Sequence, residues 1–437
     1  MRSPGEILVI SCYELGRQPL AAAGALAALE TAGFSPAAQD ISVERLSDDA
    51  LRAARLVLIS VPMHTALQLG VRVAARARAA GAQVAFFGLY AALNAEHLLA
   101  RHGDFVVGES ADDLVELARA VEEGRAPALG AKPRKHDLES PSRAALPLLD
   151  RYAKLEVCGG EARTVGAVEA TRGCKHLCRH CPVVPLWRGR FVAVPVETVL
   201  ADVEQVVRAG AQHITFTDPD FLNGPTHALR IVRELNARWP ELTFDATIKI
   251  EHLLAQRALL PELVRCGMLF VTSAVESLSD RVLSALDKGH VAADVPVALR
   301  AVREAGAELR PTLLPYTPWT ALSDLPALFD FAAEHELVDA IDPVQFTLRL
   351  LLPPGSLLLE GAGAWLRDFD ESGFSWRWVH DDPRVDALQR DSAVAVHAGA
   401  GFDELRGLAD AALHRPRRPP AQRSRRAAPR LTEPWFC

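Results

Sequence analysis

Three thiols stand in one short stretch, GCKHLCRHC, at Cys174, Cys178 and Cys181, interleaved with His176 and His180. The chain of 437 residues has seven cysteines, and an odd set in so long a chain does not suit a disulfide framework. Thiols gathered at short spacing suit a soft metal. A structural zinc ion wants four ligands closed around it, and these histidines alternate too tightly with the cysteines to converge easily on one tetrahedron. An iron–sulfur cubane also has four metal corners, and soft thiolates suit its iron. With three cysteines one iron is left open, and an incomplete coordination shell is what separates a reacting metal from a structural one.

Two cations belong to the same problem. Lys249 in TIKIEH and Arg310 in ELRPT lie inside otherwise apolar runs, and burying an unpaired cation is costly, so each is expected to have an anionic partner. The remaining internal cysteines, Cys12, Cys158 and Cys266, read as small buried hydrophobes.

Elements must carry these groups. The first 125 residues alternate short apolar runs (ILVIS, ARLVLISVP, QVAFFG, DFVVG) with Ala-rich helical stretches. Such runs suit strands buried on both faces, so residues 1–125 are expected to form a doubly wound α/β domain. Gly33 and Gly81 fall where helix C-terminal glycines belong, and Ser110 reads as an N-cap. Residues 126–160 read as a proline-rich linker. From residue 161 to 360 the alternation returns, with strands expected at TVGAVEA, HITFTD, TFDATIK, LFVTSAVE, ELRPTLLP and DPVQFTLRL. Six βα units curl into a partial parallel barrel whose working face lies at the carboxyl ends of its strands. The cysteine loop directly follows the first of them. A weaker extension follows over 361–413. The arginine- and proline-rich run 414–437 is expected to be a flexible, solvated tail.

Composition narrows the partners. The chain is 49% hydrophobic and 24% charged with a net charge of -7, which gives no general pull toward nucleic acid or anionic membrane. It has no run of eighteen apolar residues, and its start lacks the regions of a secretory signal, so a cytoplasmic location is expected.

The spacing C-x3-C-x2-C after the first strand of a βα series resembles the signature of radical S-adenosylmethionine (SAM) enzymes. The resemblance implies that Cys174, Cys178 and Cys181 hold three irons of a [4Fe–4S] cluster and that SAM chelates the fourth. It implies, further, contacts to SAM from His180 near the adenine, Asp218 at the amino group, and Glu276 with Ser273 at the ribose, from SAVESLSDRVLSALDKG. Lys249 and Arg310 would then pair with the SAM carboxylate or with a neighbouring carboxylate. A small-molecule substrate and an electron donor such as a flavodoxin or ferredoxin follow from the same resemblance.

The amino-terminal domain resembles that of the cobalamin-binding branch, but SCYELGRQPL replaces the Asp-x-His-x-x-Gly signature, so cobalamin stays open. APRLTEPWFC, with DPDFLNGPTHA and TIKIEHLL, resembles the radical SAM proteins named for a Cys-Sec-Ala-Glu-Pro or Cys-Cys-Ala-Glu-Pro tail. That likeness implies a selenocysteine or second cysteine after Cys437, and a tail thiol acting at the barrel mouth on a soft substrate such as arsenite. A rival class, a zinc-stabilised RNA- or partner-binding module, conflicts with the overall acidity and with the lack of aromatics among the tail arginines.

Overall fold

The computed structural model describes residues 1–130, 138–157, 160, 162–416, 418–422 and 428–433. Cys158 and Cys437, and with the latter the expected tail chemistry, lie outside the described residues.

The amino-terminal unit is a five-stranded parallel sheet: β1 (Ile7–Ser11), β2 (Ala37–Asp40), β3 (Leu56–Ser60), β4 (Gln83–Phe87) and β5 (Phe105–Val107), in the order β2-β1-β3-β4-β5. β1 and β3 are buried along their whole length, and separate apolar clusters cover the two faces of the sheet, as expected for a doubly wound domain. Ser110 caps the helix Ala111–Glu123, its side chain accepting from Asp113 N.

The second sheet begins earlier than the sequence reading placed it. β6 (Lys154–Glu156), inside the expected linker, pairs antiparallel with β7 (Ala162–Val168). β7 then continues through parallel neighbours β10 (His213–Phe216), β11 (Thr243–Thr247), β12 (Met268–Glu276) and β13 (Glu308–Leu313). Between them lie the short antiparallel pair β8 (Thr171–Gly173) and β9 (Phe191–Ala193), which frames the cysteine loop. Outward side chains such as Ile214, Phe244, Val271 and Leu309 pack under the helices. Inward ones are polar: His213 and Thr215 both bond Asp245 Oδ1, at 2.9 and 2.6 Å.

The expected sixth strand is absent. Residues Pro343–Thr347 form a 3-10 turn, because proline gives no ladder donor and the Gln345 side chain accepts from Leu313 N at 2.9 Å in place of a strand.

The opposite edge is extended instead by the tail. β14 (Leu366–Asp370) and β15 (Ser375–Trp378) form a hairpin, whose Phe374 is buried in the amino-terminal core. Helices Pro383–His397 and Phe402–Ala412 follow. β16 (Arg430–Leu431) then pairs antiparallel with β6. The described part of the tail is therefore docked, which corrects the expectation of a wholly solvated arm. Its contacts are specific: Arg418 pairs with Asp410 at 2.8 Å, and Thr432 exchanges bonds with Lys154 in both directions. No described helix is long and apolar enough to cross a membrane.

Candidate active site

The cysteine loop leaves β8 through Gly173, whose φ is 82°. A Cβ there would fall 2.4 Å from the Trp187 ring and 2.7 Å from Arg190 O, so glycine is required both for conformation and for room. Cys174 and Cys178 are buried and Cys181 is half-buried, and all three are free thiols. Their charges act on one another. Burial, reinforced by Cys178 and Cys174, pushes the Cys181 thiol up to about 12, so three thiolates can share this pocket only with a cation among them.

A single zinc ion is a poor candidate for that cation. Zinc–sulfur bonds of about 2.3 Å would draw the sulfurs to within about 4 Å of one another. Among the described residues the group gathered within 4.8 Å is His176, Asp220 and His252, not the thiols. Wider spacing suits the corners of a cluster.

The segment after β10, TDPDFLN, clamps the loop. Asp218 is buried with both oxygens engaged, accepting from Ala170 N at 2.9 Å and Thr171 Oγ1 at 2.6 Å. Asn223 accepts from Lys175 N, receives the Cys174 thiol at 3.7 Å and donates to Gly173 O. Asp220, fully buried, accepts from Leu222 N and Lys249 N and lies 2.9 Å from His252 Nδ1. His252 Nε2 in turn meets His176 Nε2 at 3.2 Å. From the other side, Arg179 N donates to Leu286 O at 2.9 Å, bringing the loop against the turn that carries Lys288.

Glu276 ends β12 in the left-handed region, φ 63°, at a register shift against β13. Its carboxylate lies 3.1 Å from Lys288 Nζ and 3.3 Å from His180 Nε2. Burial alone would raise its pKa, but Lys288 and His180 hold it well below the usual carboxylate range. The thiols of Cys178 and Cys181 also act on the Lys288 ammonium.

The expected residues therefore divide. Cys174, Cys178, Cys181, His176, His180 and Glu276 share one face, joined by Lys288, Asn223, Asp220 and His252, which sequence reasoning did not single out. The turn-rich DPDFLN and the Lys-Gly pair were the available signals. Lys249 is there too, paired with Glu251 at 3.1 Å. Three expectations need correction. Asp218 is spent on Ala170 N and the Thr171 hydroxyl rather than offered to a ligand amine. Ser273 is fully buried and donates to Ile248 O at 2.6 Å, a tie between strands rather than a ribose contact. Arg310 lies mid-strand opposite Thr272 and is held by Asp342 at 3.0 Å and Pro429 O at 3.2 Å, away from the loop.

Between the domains, an open cleft is lined by the small residues Ala21, Gly24, Ala25 and Ala28 of helix Leu20–Thr31, by Gly88 and Gly108, and by Glu109 and Trp187.

Comparison with known proteins agrees with this layout. Residues 168–325 match the family model of the Radical SAM superfamily. The tRNA-2-methylthio-N(6)-dimethylallyladenosine synthase of Actinobacillus succinogenes is 29% identical over 157 residues, 33% of this chain and 32% of that protein. Its counterpart in Pseudoalteromonas atlantica is 26% identical over 226 residues, 48% and 45%. The chain thus spans a third to under half of the length of these curated relatives. Among solved structures, the radical SAM methyltransferase TsrM from Kitasatospora setae, with tryptophan and a SAM analogue, gives a TM-score of 0.69 at 16% identity, covering 89% of this chain and 88% of that one. The cobalamin-dependent radical SAM enzyme OxsB, with aqua-cobalamin bound, gives 0.64 at 14% identity, covering 88% and 66%. The three-thiol loop lies inside the segment that matches the Radical SAM superfamily model.

Proposed function

We propose that the chain cleaves SAM reductively and uses the product to modify a small-molecule substrate, with a soft-element compound such as an arsenic species as one class. The observation that supports this reading is the three-thiol loop set against the Glu276, Lys288 and His180 group. A [4Fe–4S] cluster with SAM, when bound, supplies one-electron cleavage of a carbon–sulfur bond. Cys174, Cys178 and Cys181 would hold its irons, and the fit is good: three thiols, two of them buried, repel one another once ionised and need a cation among them. Lys288 adds positive charge beside the sulfurs. Glu276, kept ionised and held by two donors, offers a fixed acceptor suited to vicinal hydroxyls. Lys249, beside His176 and His252, is placed for a carboxylate. Asn223 and Asp218 hold the loop rigid, which pre-organises the thiols.

Anaerobic reconstitution with iron, sulfide and dithionite, followed by mass spectrometry, tests the reading. The expected product is 5′-deoxyadenosine, or methylthioadenosine if the other carbon–sulfur bond breaks, and Cys178→Ala should lose the iron and both products. A parent protein that binds iron and SAM but releases neither product would end the proposal.

A second reading, cobalamin-dependent methyl or alkyl transfer, is favoured by the cleft between the domains. Its small-residue wall has room: a Cβ on Gly24 would meet nothing within 4 Å. The loop after β1, residues 12–19, contains no histidine, and its Tyr13 hydroxyl donates to Glu433 at 2.9 Å. Ala21, Gly24, Ala25 and Ala28, with Gly88 and Gly108, would form the wall against which a corrinoid could lie. A corrinoid absorption spectrum in anaerobically purified protein would establish this reading, and its absence after loading with hydroxocobalamin would remove it.

A further inference from the structure

The loop after β1 carries a cation for which the described residues supply no anion. Leu15 (φ 53°) and Gly16 (φ 66°) turn the chain back, and a Cβ on Gly16 would fall 2.6 Å from Glu433 Cγ. The docked tail thus presses directly on this turn. Arg17 follows, half-buried by surface area, and desolvation draws its guanidinium below the ordinary arginine range.

Its Nε is shut away without a partner. Among the described residues the guanidinium makes neither an ion pair nor a hydrogen bond. The carboxylates whose charge it feels are Asp245 and Glu14, and both are committed. Asp245 Oδ1 accepts from His213 and Thr215. Glu14 accepts from Leu20 N and Ala21 N at the start of helix Leu20–Thr31. Asp342, further round the barrel, holds Arg310, and Glu433 is held by Tyr13.

An enclosed guanidinium without a counter-charge costs stability until an anion arrives. Its planar fork matches a carboxylate or a small oxyanion in two parallel hydrogen bonds. The charge of Asp245, an inward residue of β11, acts on the guanidinium, and Arg17 is not among the residues that line the domain cleft.

We propose that Arg17 is a substrate-binding residue, anchoring a carboxylate or oxyanion group of the substrate against the barrel interior. This deepens the function proposed above and rests on it in one respect, that the barrel is where the substrate is transformed.

The test uses anaerobically reconstituted protein with SAM, titrated with inorganic phosphate and, separately, acetate, and followed by thermal unfolding and calorimetry. Either anion should raise the unfolding temperature of the parent. Arg17→Gln should weaken binding by about tenfold or more. Arg76→Gln, which removes an exposed arginine paired with Asp48, should bind as the parent does. In anion-free buffer Arg17→Gln should unfold at the same temperature as the parent or higher, because a lone enclosed charge has been removed. Parental affinity in Arg17→Gln, failure of both anions to bind the parent, or a markedly lower unfolding temperature for the anion-free variant would each overturn the proposal. SAM cleavage in the same samples is a separate readout: lost cleavage with retained anion binding would count against the radical reading and leave Arg17 in place.

Discussion

Glu276 joins a strained backbone to a strong electrostatic position. A left-handed non-glycine residue at the end of a buried strand persists only where its surroundings over-determine it, and here Lys288 and His180 do so. Glu276→Gln would leave the Lys288 ammonium buried without its counter-charge, at a cost of about 3–5 kcal/mol, measurable by denaturant unfolding, together with weaker SAM binding. Glu14 gives the opposite pH signature. Burial pushes its carboxyl up to about 7, so the folded protein holds a proton that the unfolded chain releases at ordinary carboxylate pH. Stability from this group is full below about pH 4.5 and is lost as pH rises through about 7. Asp218, also raised to about 7 by burial, adds in the same sense. Glu14→Gln should flatten the part of the slope between pH 5 and 7 that Glu14 causes, in unfolding curves taken across that range. The thiol triplet and Glu276 were legible because motif and strand end coincide. Asp218 and Ser273 were misassigned because position at a strand end says where a side chain starts, not which backbone group claims it. Asn223 and Lys288 acquire meaning only once distant loops meet.

At the scale of elements, the cysteine loop depends on one turn. Gly173→Ala would force a methyl into the Trp187 ring and the Arg190 carbonyl at a positive φ, and either the ring or the loop must move. Lower iron content after reconstitution is expected, with SAM cleavage falling in proportion, and iron assay beside product analysis would show it. The five parallel strands of the barrel were readable from their apolar runs between helices. The sixth was not: DPVQFTLRL carries the composition of a strand, but Pro343 and the Gln345 side chain satisfy the edge of β13 by a different route. β6 and β16, three and two residues long, are too short to leave a periodic signal, so the far side of the barrel could not be seen in the sequence.

For the whole molecule, Arg143 is the fastener. From the segment read as a linker it bonds Asp202 at 2.7 and 2.8 Å, Gln18 at 2.9 Å and Ala167 O at 2.6 Å, tying both units together with its charge almost wholly buried. Arg143→Met should cost about 3–5 kcal/mol, mostly from the Asp202 charge left behind, and should split one unfolding transition into two by calorimetry. The order of the sheet has a temporal consequence. Arg310 in β13 reaches Pro429, 119 positions later, and β16 seals the flank beyond β6. A polypeptide emerging from the ribosome therefore has all three thiols and the strands from β6 to β13 in hand more than a hundred residues before the strand that covers the β6 flank is made.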